Sequence, residues 1–239
     1  MEKRTSDNDL GYFDLFPAPI YEAMCRINPA ENINATTPFY GPLLYVLARI
    51  NGAHRALEVG VAEGWSSGFL AWAIKDNNIR YGMGGRFYGI DIGDKRHIQK
   101  QHEALGLPST FIEDPKGSVH WLENQKEIEP ESLDIVFIDG LHYGPYVERE
   151  VELVYPFLKG DGQGLCCLHD VYSTAEKAWP LIKNNPKYQW ESMRFMNNYG
   201  FGILRKMDGT DSNKVHWPEG DQKELAISQG VCDKDGKLV

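Results

Sequence analysis

The chain has 239 residues and a formal net charge of −9, from 25 Lys plus Arg against 34 Asp plus Glu. Its 42% hydrophobic and 25% charged residues are an ordinary globular balance, which excludes a wholly disordered chain, a collagen-like chain and a coiled-coil rod. The acidic balance, without a dense basic run, argues against duplex nucleic acid as a partner, because phosphate affinity needs clustered Lys and Arg.

Residues 1–36 are broken into short pieces by Pro17, Pro19 and Pro29 and read as an N-terminal extension. From Tyr40 to Ile50, Leu43, Leu44, Leu47 and Ile50 recur at helical spacing. Residues 55–59 (RALEV) predict a short buried strand, and residues 66–75 a helix. Residues 86–90 (RFYGI) predict a second strand, 95–105 a helix, 110–112 a third strand and 119–125 a helix. Residues 133–138 (LDIVFI) predict a buried strand, 146–158 a helix stopped by Lys159-Gly160-Asp161-Gly162, 164–168 (GLCCL) a strand and 174–183 a helix. Two strand-like runs, 188–195 and 200–204, follow with only Asn197-Asn198 as a break. From position 207 the chain is a polar tail.

Strands alternating with helices over ten to fifteen residues imply βαβ units. The closing pair, with no helix between its members, implies an antiparallel hairpin at one edge. The expected fold is therefore α/β: a doubly wound, mostly parallel seven-stranded sheet with a C-terminal antiparallel hairpin, spanning residues 37–206.

Ligands of an open parallel sheet bind beyond the carboxyl ends of its strands. The first strand ends Glu58-Val59-Gly60-Val61-Ala62-Glu63-Gly64-Trp65-Ser66. Gly60 permits a sharp turn and close approach of a ligand to the backbone. Gly64 opens a helix whose free N–H groups suit a carboxylate, and Ser66 adds a hydroxyl. The dinucleotide fingerprint would want glycine at position 62, where Ala62 stands, and an ordinary strand-to-helix turn fits the string equally well. The second strand ends at Asp91, placed either to accept two ribose hydroxyls or to cap the next helix.

Taken together, Tyr40-Gly41-x-Leu43-Leu44, Leu57-Glu58-Val59-Gly60, Gly64-Trp65-Ser66, Gly89-Ile90-Asp91, Phe137-Ile138-Asp139-Gly140-x-His142 and Leu168-His169-Asp170 resemble the class I S-adenosylmethionine-dependent methyltransferases. The likeness is to O-methyltransferases of the catechol and caffeoyl-CoA type and their relatives acting on sugars and natural products. It spans about residues 38–206. It implies S-adenosyl-L-methionine as cofactor, with Gly60 and Gly64 against its amino-acid part, Ser66 at its carboxylate, Glu58 supporting the loop and Asp91 on the ribose. Asp114 and Ser118, in the loop after the third strand, fall where such enzymes hold the adenine, and Asp139 closes the cofactor site.

In metal-dependent members an acid after the fourth strand and two ligands after the fifth hold a divalent ion. Asp139, His169 and Asp170 match those positions, with histidine in place of an acid or amide. Mg²⁺ is usual with oxygen ligands, whereas imidazole favours Mn²⁺, Fe²⁺ or Zn²⁺. His142, three residues past Asp139, matches the position of a basic residue and is the candidate general base; a hydrogen-bonded structural histidine fits the position equally well. The implied acceptor is a small molecule: a catechol, a sugar diol or a hydroxy-carbonyl compound. A metal-free methyltransferase, a nucleotide-binding oxidoreductase and a non-catalytic binding protein compete with this reading.

Tyr143, Tyr146, Trp65 and Trp179 are aromatic candidates for an acceptor pocket or for packing. Glu148, Glu150 and Glu152 read as a solvated helix face, and Cys166 and Cys167 as buried packing. The four cysteines fit no zinc pattern, and no run of eighteen apolar residues exists, so reduced thiols, no membrane span and a cytoplasmic location are expected. The Asn34-Ala35-Thr36 sequon reads as chance. The two uncovered ends are candidates for a homo-oligomer contact or a lid.

Overall fold

The computed structural model describes residues 37–173, 176–195 and 199–208. The N-terminal extension with its sequon, Cys25, Cys232 and nearly all of the polar tail lie outside the described residues.

Helix α1 (Thr37–Ile50) precedes β1 (Arg55–Val59), α2 (Trp65–Tyr81), β2 (Arg86–Asp91), α3 (Arg96–Ala104), β3 (Ser109–Glu113) and α4 (Ser118–Asn124). Then come β4 (Ile135–Ile138), α5 (Gly144–Val154), a 3₁₀ turn (Tyr155–Phe157), β5 (Leu165–His169), α6 (Ala178–Lys183), β6 (Trp190–Phe195) and β7 (Phe201–Lys206). The strands form one seven-stranded sheet in the order β3-β2-β1-β4-β5-β7-β6. All pairings are parallel except β5 with β7 and β7 with β6, so the expected edge hairpin is present.

The central strands read as unbroken apolar runs because both faces are covered. On one face Ala56, Phe87, Ile135, Phe137 and Cys167 pack against Tyr40 and Leu44 of α1 and Leu70 and Ile74 of α2. On the other, Leu57, Val59, Val136, Ile138, Cys166 and Leu168 meet Val147, Val151 and Val154 of α5 and Trp179 of α6. Both cysteines are buried and free, and burial pushes their thiols up.

Several boundaries depart from expectation, among them the start of α6 at Ala178 instead of 174 and three others with a clear cause. Helix α2 runs six residues past Lys75, through the polar Asp76-Asn77-Asn78 run. Those side chains make tertiary bonds instead of ending the helix: Tyr45 donates to Asp76 (2.6 Å), and the buried Asn77 amide donates to Ala48 O (3.1 Å) and Ala53 O (2.7 Å). Gly82, at φ 66°, ends it in the left-handed conformation that only glycine adopts cheaply. Helix α5 stops at Val154 because Pro156 lacks the N–H that an α-turn needs, and the chain tightens into the 3₁₀ turn. The ladder of β4 starts at Ile135; Leu133 makes only an isolated bridge to Leu158.

After β3 the chain crosses back to pair β4 with the opposite edge of β1. The crevice of an open sheet lies at such a reversal, beyond the carboxyl ends of β1, β2 and β4.

Candidate functional site

The turn after β1 is built around Gly60. Its φ is 87°, and a Cβ there would lie 2.2 Å from the Asp139 carbonyl oxygen at the end of β4. The Gly60 N–H donates to Ile90 O (2.9 Å), tying the turn to β2. The Val61 and Ala62 N–H groups both donate to Asp91 Oδ2 at 3.0 Å, and Gly93 N–H donates to Oδ1 at 3.0 Å. Lys95 Nζ lies 3.5 Å from the same Oδ2. Asp91 thus holds the turn in shape and also lines the crevice.

Beneath the turn Glu58 is wholly buried and accepts hydrogen bonds from the Ser66 and Ser67 hydroxyls. The sequence placed Ser66 at a ligand carboxylate; the structure turns its hydroxyl down to Glu58 and buries the residue. Gly64 (φ 80°) gives room to Ile98, which a Cβ would meet at 2.8 Å. Burial pushes the Glu58 carboxyl up to about 8, against the two serine bonds that favour the carboxylate. Between about pH 4.5 and 8 the folded chain therefore holds a proton at Glu58 that the unfolded chain has lost, so this group's share of stability falls as pH rises through that window. Glu58→Gln is expected to flatten the decline of stability over that window, measured by denaturant unfolding across pH; an unchanged profile would show that Glu58 does not carry it.

The crevice itself has a volume of about 310 Å³, within the size range of small-ligand sites. Of the predicted residues, Gly60, Asp91, Ser118 and Asp139 line it. Ile92 and Leu141, both largely exposed, flank it, and Gly117 and Tyr146 join Ser118 at one end. Asp114 does not line it; its carboxylate bonds His120 (2.7 Å) and Lys116 N–H (2.9 Å), which hold it below the usual carboxylate range.

Tyr146, a candidate for an acceptor pocket or for packing, lines the crevice with its hydroxyl 3.2 Å from that of Ser118. Glu150 corrects a reading. It is fully buried, bonds Ser118 Oγ and is pushed up to about 7 by burial, so it belongs to no solvated face. The signal was present in sequence: Val147, Glu150, Val151 and Val154 form one inward helical stripe. Trp65 and Trp179 pack in the core, and Tyr143 is exposed.

Asp139 also belongs to a second group. Its Oδ1 lies 3.1 Å from His142 Nε2 and 2.9 Å from His169 Nδ1, which is itself 3.1 Å from Asp170 Oδ1. His142 Nδ1 is bonded to Asp170 Oδ2. Hydrogen bonds that its ring N–H groups donate to Asp139 and Asp170 push the His142 imidazole up to about 10. His169 is almost completely buried, yet neither ring nitrogen makes a hydrogen bond. The donor atoms of Asp139, His142 and His169 lie within 4.8 Å of one another. The two edges to Asp139, 3.1 and 2.9 Å, are close to the separation of about 3 Å between neighbouring ligands around an octahedral ion with bonds near 2.1 Å. These residues fit a divalent cation, and the two imidazoles suit a borderline ion such as Mn²⁺ or Fe²⁺. No described helix is long and apolar enough to cross a membrane.

Residues 57–171, from β1 to just past β5, match a family described as a methyltransferase domain. No curated protein sequence matches the chain. Among solved structures, an O-methyltransferase from Bacillus cereus in complex with S-adenosylhomocysteine is 20% identical, with 84% of this chain and 94% of that one covered and a TM-score of 0.58. A methyltransferase from Podospora anserina bound to S-adenosylhomocysteine is 13% identical, covering 87% and 100%, with a TM-score of 0.62. The O-methyltransferase TomG from Streptomyces achromogenes, bound to S-adenosylmethionine, is 16% identical, covering 80% and 91%, with a TM-score of 0.58.

Proposed function

We propose that this chain, whose residues 57–171 match a methyltransferase domain family, is a class I S-adenosylmethionine-dependent methyltransferase that moves a methyl group to a hydroxyl oxygen of a small molecule with the help of a divalent cation. One observation carries the reading: Asp139 lines the crevice and also belongs to the His142–His169–Asp170 cluster, so a donor in the first and an acceptor oxygen at the second meet at one carboxylate.

In this reading the Gly60 turn takes the methionyl end of the donor and Asp91 its ribose hydroxyls. The Gly117–Ser118 end takes the base. Asp139, His142 and His169 are the cation ligands. Asp170 bonds the second nitrogen of His142 and so fixes the ring, the usual arrangement behind a metal-ligating histidine. Bound by these residues, a cation would lower the pKa of an acceptor hydroxyl and orient it. Methyl transfer from sulfur is an in-line displacement, and holding both partners against one rigid strand end supplies much of the rate by positioning. Two vicinal oxygens would engage such a site best, which favours a catechol-like, sugar-diol or hydroxy-carbonyl acceptor.

The bond between His142 and Asp170 favours a second reading without a cation. There the neutral form of His142, oriented by Asp170, takes the acceptor's proton at Nε2; because Asp139 and Asp170 hold the imidazole protonated up to about pH 10, this reading requires turnover to rise with pH. Turnover on a panel of diols and catechols, with and without chelator, separates the two. Loss of activity on chelation and return on adding Mn²⁺ supports the first, and indifference to chelator overturns it.

Asp91→Ala is expected to weaken S-adenosylhomocysteine binding about tenfold or more, since a charge-assisted pair of hydrogen bonds and the brace on Val61 and Ala62 are lost together. Unchanged affinity by titration calorimetry would remove Asp91 from the donor site.

A further inference from the structure

We infer that Glu150 is a positioning residue for the donor's base: by taking the Ser118 hydroxyl proton inward, it leaves Ser118 only acceptor lone pairs toward the crevice, so the site selects a 6-aminopurine over a 6-oxopurine. The inference rests on the donor reading above, with the base at the Ser118 end.

A carboxyl in the middle of a valine stripe is costly to bury and would be replaced without loss by leucine if packing were its only role. Glu150 is fully buried between Val147, Val151 and Val154, and its Oε2 has no hydrogen-bond partner. Its Oε1 accepts from Ser118 Oγ, a bond between α5 and the first residue of α4. A Cβ on Gly140, which lines the crevice, would stand 3.5 Å from the same Oε1, so the carboxyl lies directly behind the crevice wall. The fit around Ser118 is close: a Cβ on Gly117 would meet the Tyr146 hydroxyl at 2.5 Å, and that hydroxyl is 3.2 Å from Ser118 Oγ.

A serine hydroxyl has one proton to donate and two lone pairs to accept with. Once the proton is committed to Glu150, the Tyr146 hydroxyl donates to one lone pair of Ser118, and the other lone pair can accept from an exocyclic amine while no proton is left for an exocyclic carbonyl. A site built this way rejects the mismatched ligand because two acceptors would face each other without water.

The test is titration of the full chain with S-adenosylhomocysteine and with its 6-oxo counterpart, S-inosylhomocysteine. The wild type is expected to prefer the adenosyl ligand by about tenfold or more. Glu150→Leu, which cannot accept a bond, and Ser118→Ala are each expected to bring the preference below about threefold. Glu150→Ala takes the place of Glu150→Leu if the latter does not fold. A role confined to packing would lower affinity for both ligands equally and leave the ratio unchanged. An unchanged ratio in the Glu150 variants overturns the inference, as does a wild type that binds S-adenosylhomocysteine without preference. A wild type that binds neither ligand overturns the donor reading and the inference with it.

Discussion

Asp139→Asn combined with Asp170→Asn is expected to abolish Mn²⁺ binding and to lower methyl transfer by about a thousandfold or more, the rate equivalent of several kcal/mol of stabilisation of a developing alkoxide. Both carboxylates act on the same group. Asp139 Oδ1 faces His142 Nε2 and His169 Nδ1, and Asp170 holds the other nitrogen of His142. Replacing both removes the charge that draws a cation and the bond that aims the imidazole. The fold should survive, because the cluster lies at strand ends outside the two apolar layers, and amides keep the shape and part of the hydrogen bonding. Calorimetric titration with Mn²⁺ and turnover, read beside the melting temperature, check this. Full turnover in a folded double variant would discard both the cation reading and the role of Asp170.

Gly60→Ala is expected to destabilise the chain by about 3–5 kcal/mol and to weaken donor binding by about a hundredfold or more. Two penalties add. At φ 87° an alanine leaves its allowed region, and its Cβ would stand 2.2 Å from the Asp139 carbonyl oxygen, which is backbone and cannot swing away. The only relief is to push β1 and β4 apart where both line the crevice. Because Asp139 lines the crevice and also lies beside His142 and His169, that displacement is expected to reach the proposed chemistry too. Denaturant unfolding and titration with S-adenosylhomocysteine measure the two effects. A stable variant with wild-type affinity would show that the turn does not approach β4 as described.

The strands were legible because a parallel sheet covered on both faces leaves short, nearly continuous apolar runs, as in IVFI of β4 and LCCLH of β5. The edge hairpin was legible in a different way: β6 is almost wholly exposed, and only the lack of a helix between it and β7 gave the pairing away. The end of α2 was not, because Asp76, Asn77 and Asn78 look like a helix stop until their partners in α1 and beyond are known. Of the candidate site, residues at strand tips can be placed by topology alone, and Gly60, Asp91 and Asp139 do line the crevice. What reaches the crevice from a helix flank could not. Tyr146 and Glu150 lie about thirty residues from Ser118 in sequence, and only the packing of α5 on α4 brings them together. Ser66 differs in that its local string suits a ligand carboxylate, whereas in the structure its hydroxyl donates to the buried Glu58, a partner the string does not reveal.

The most direct measurement is a crystal structure of the full chain grown with S-adenosylhomocysteine and Mn²⁺. The account predicts the methionyl end against Gly60, the ribose hydroxyls on Asp91, the base beside Ser118 and an anomalous peak among Asp139, His142 and His169. An empty or side-chain-filled crevice at saturating ligand, or the ligand seated elsewhere, would contradict it.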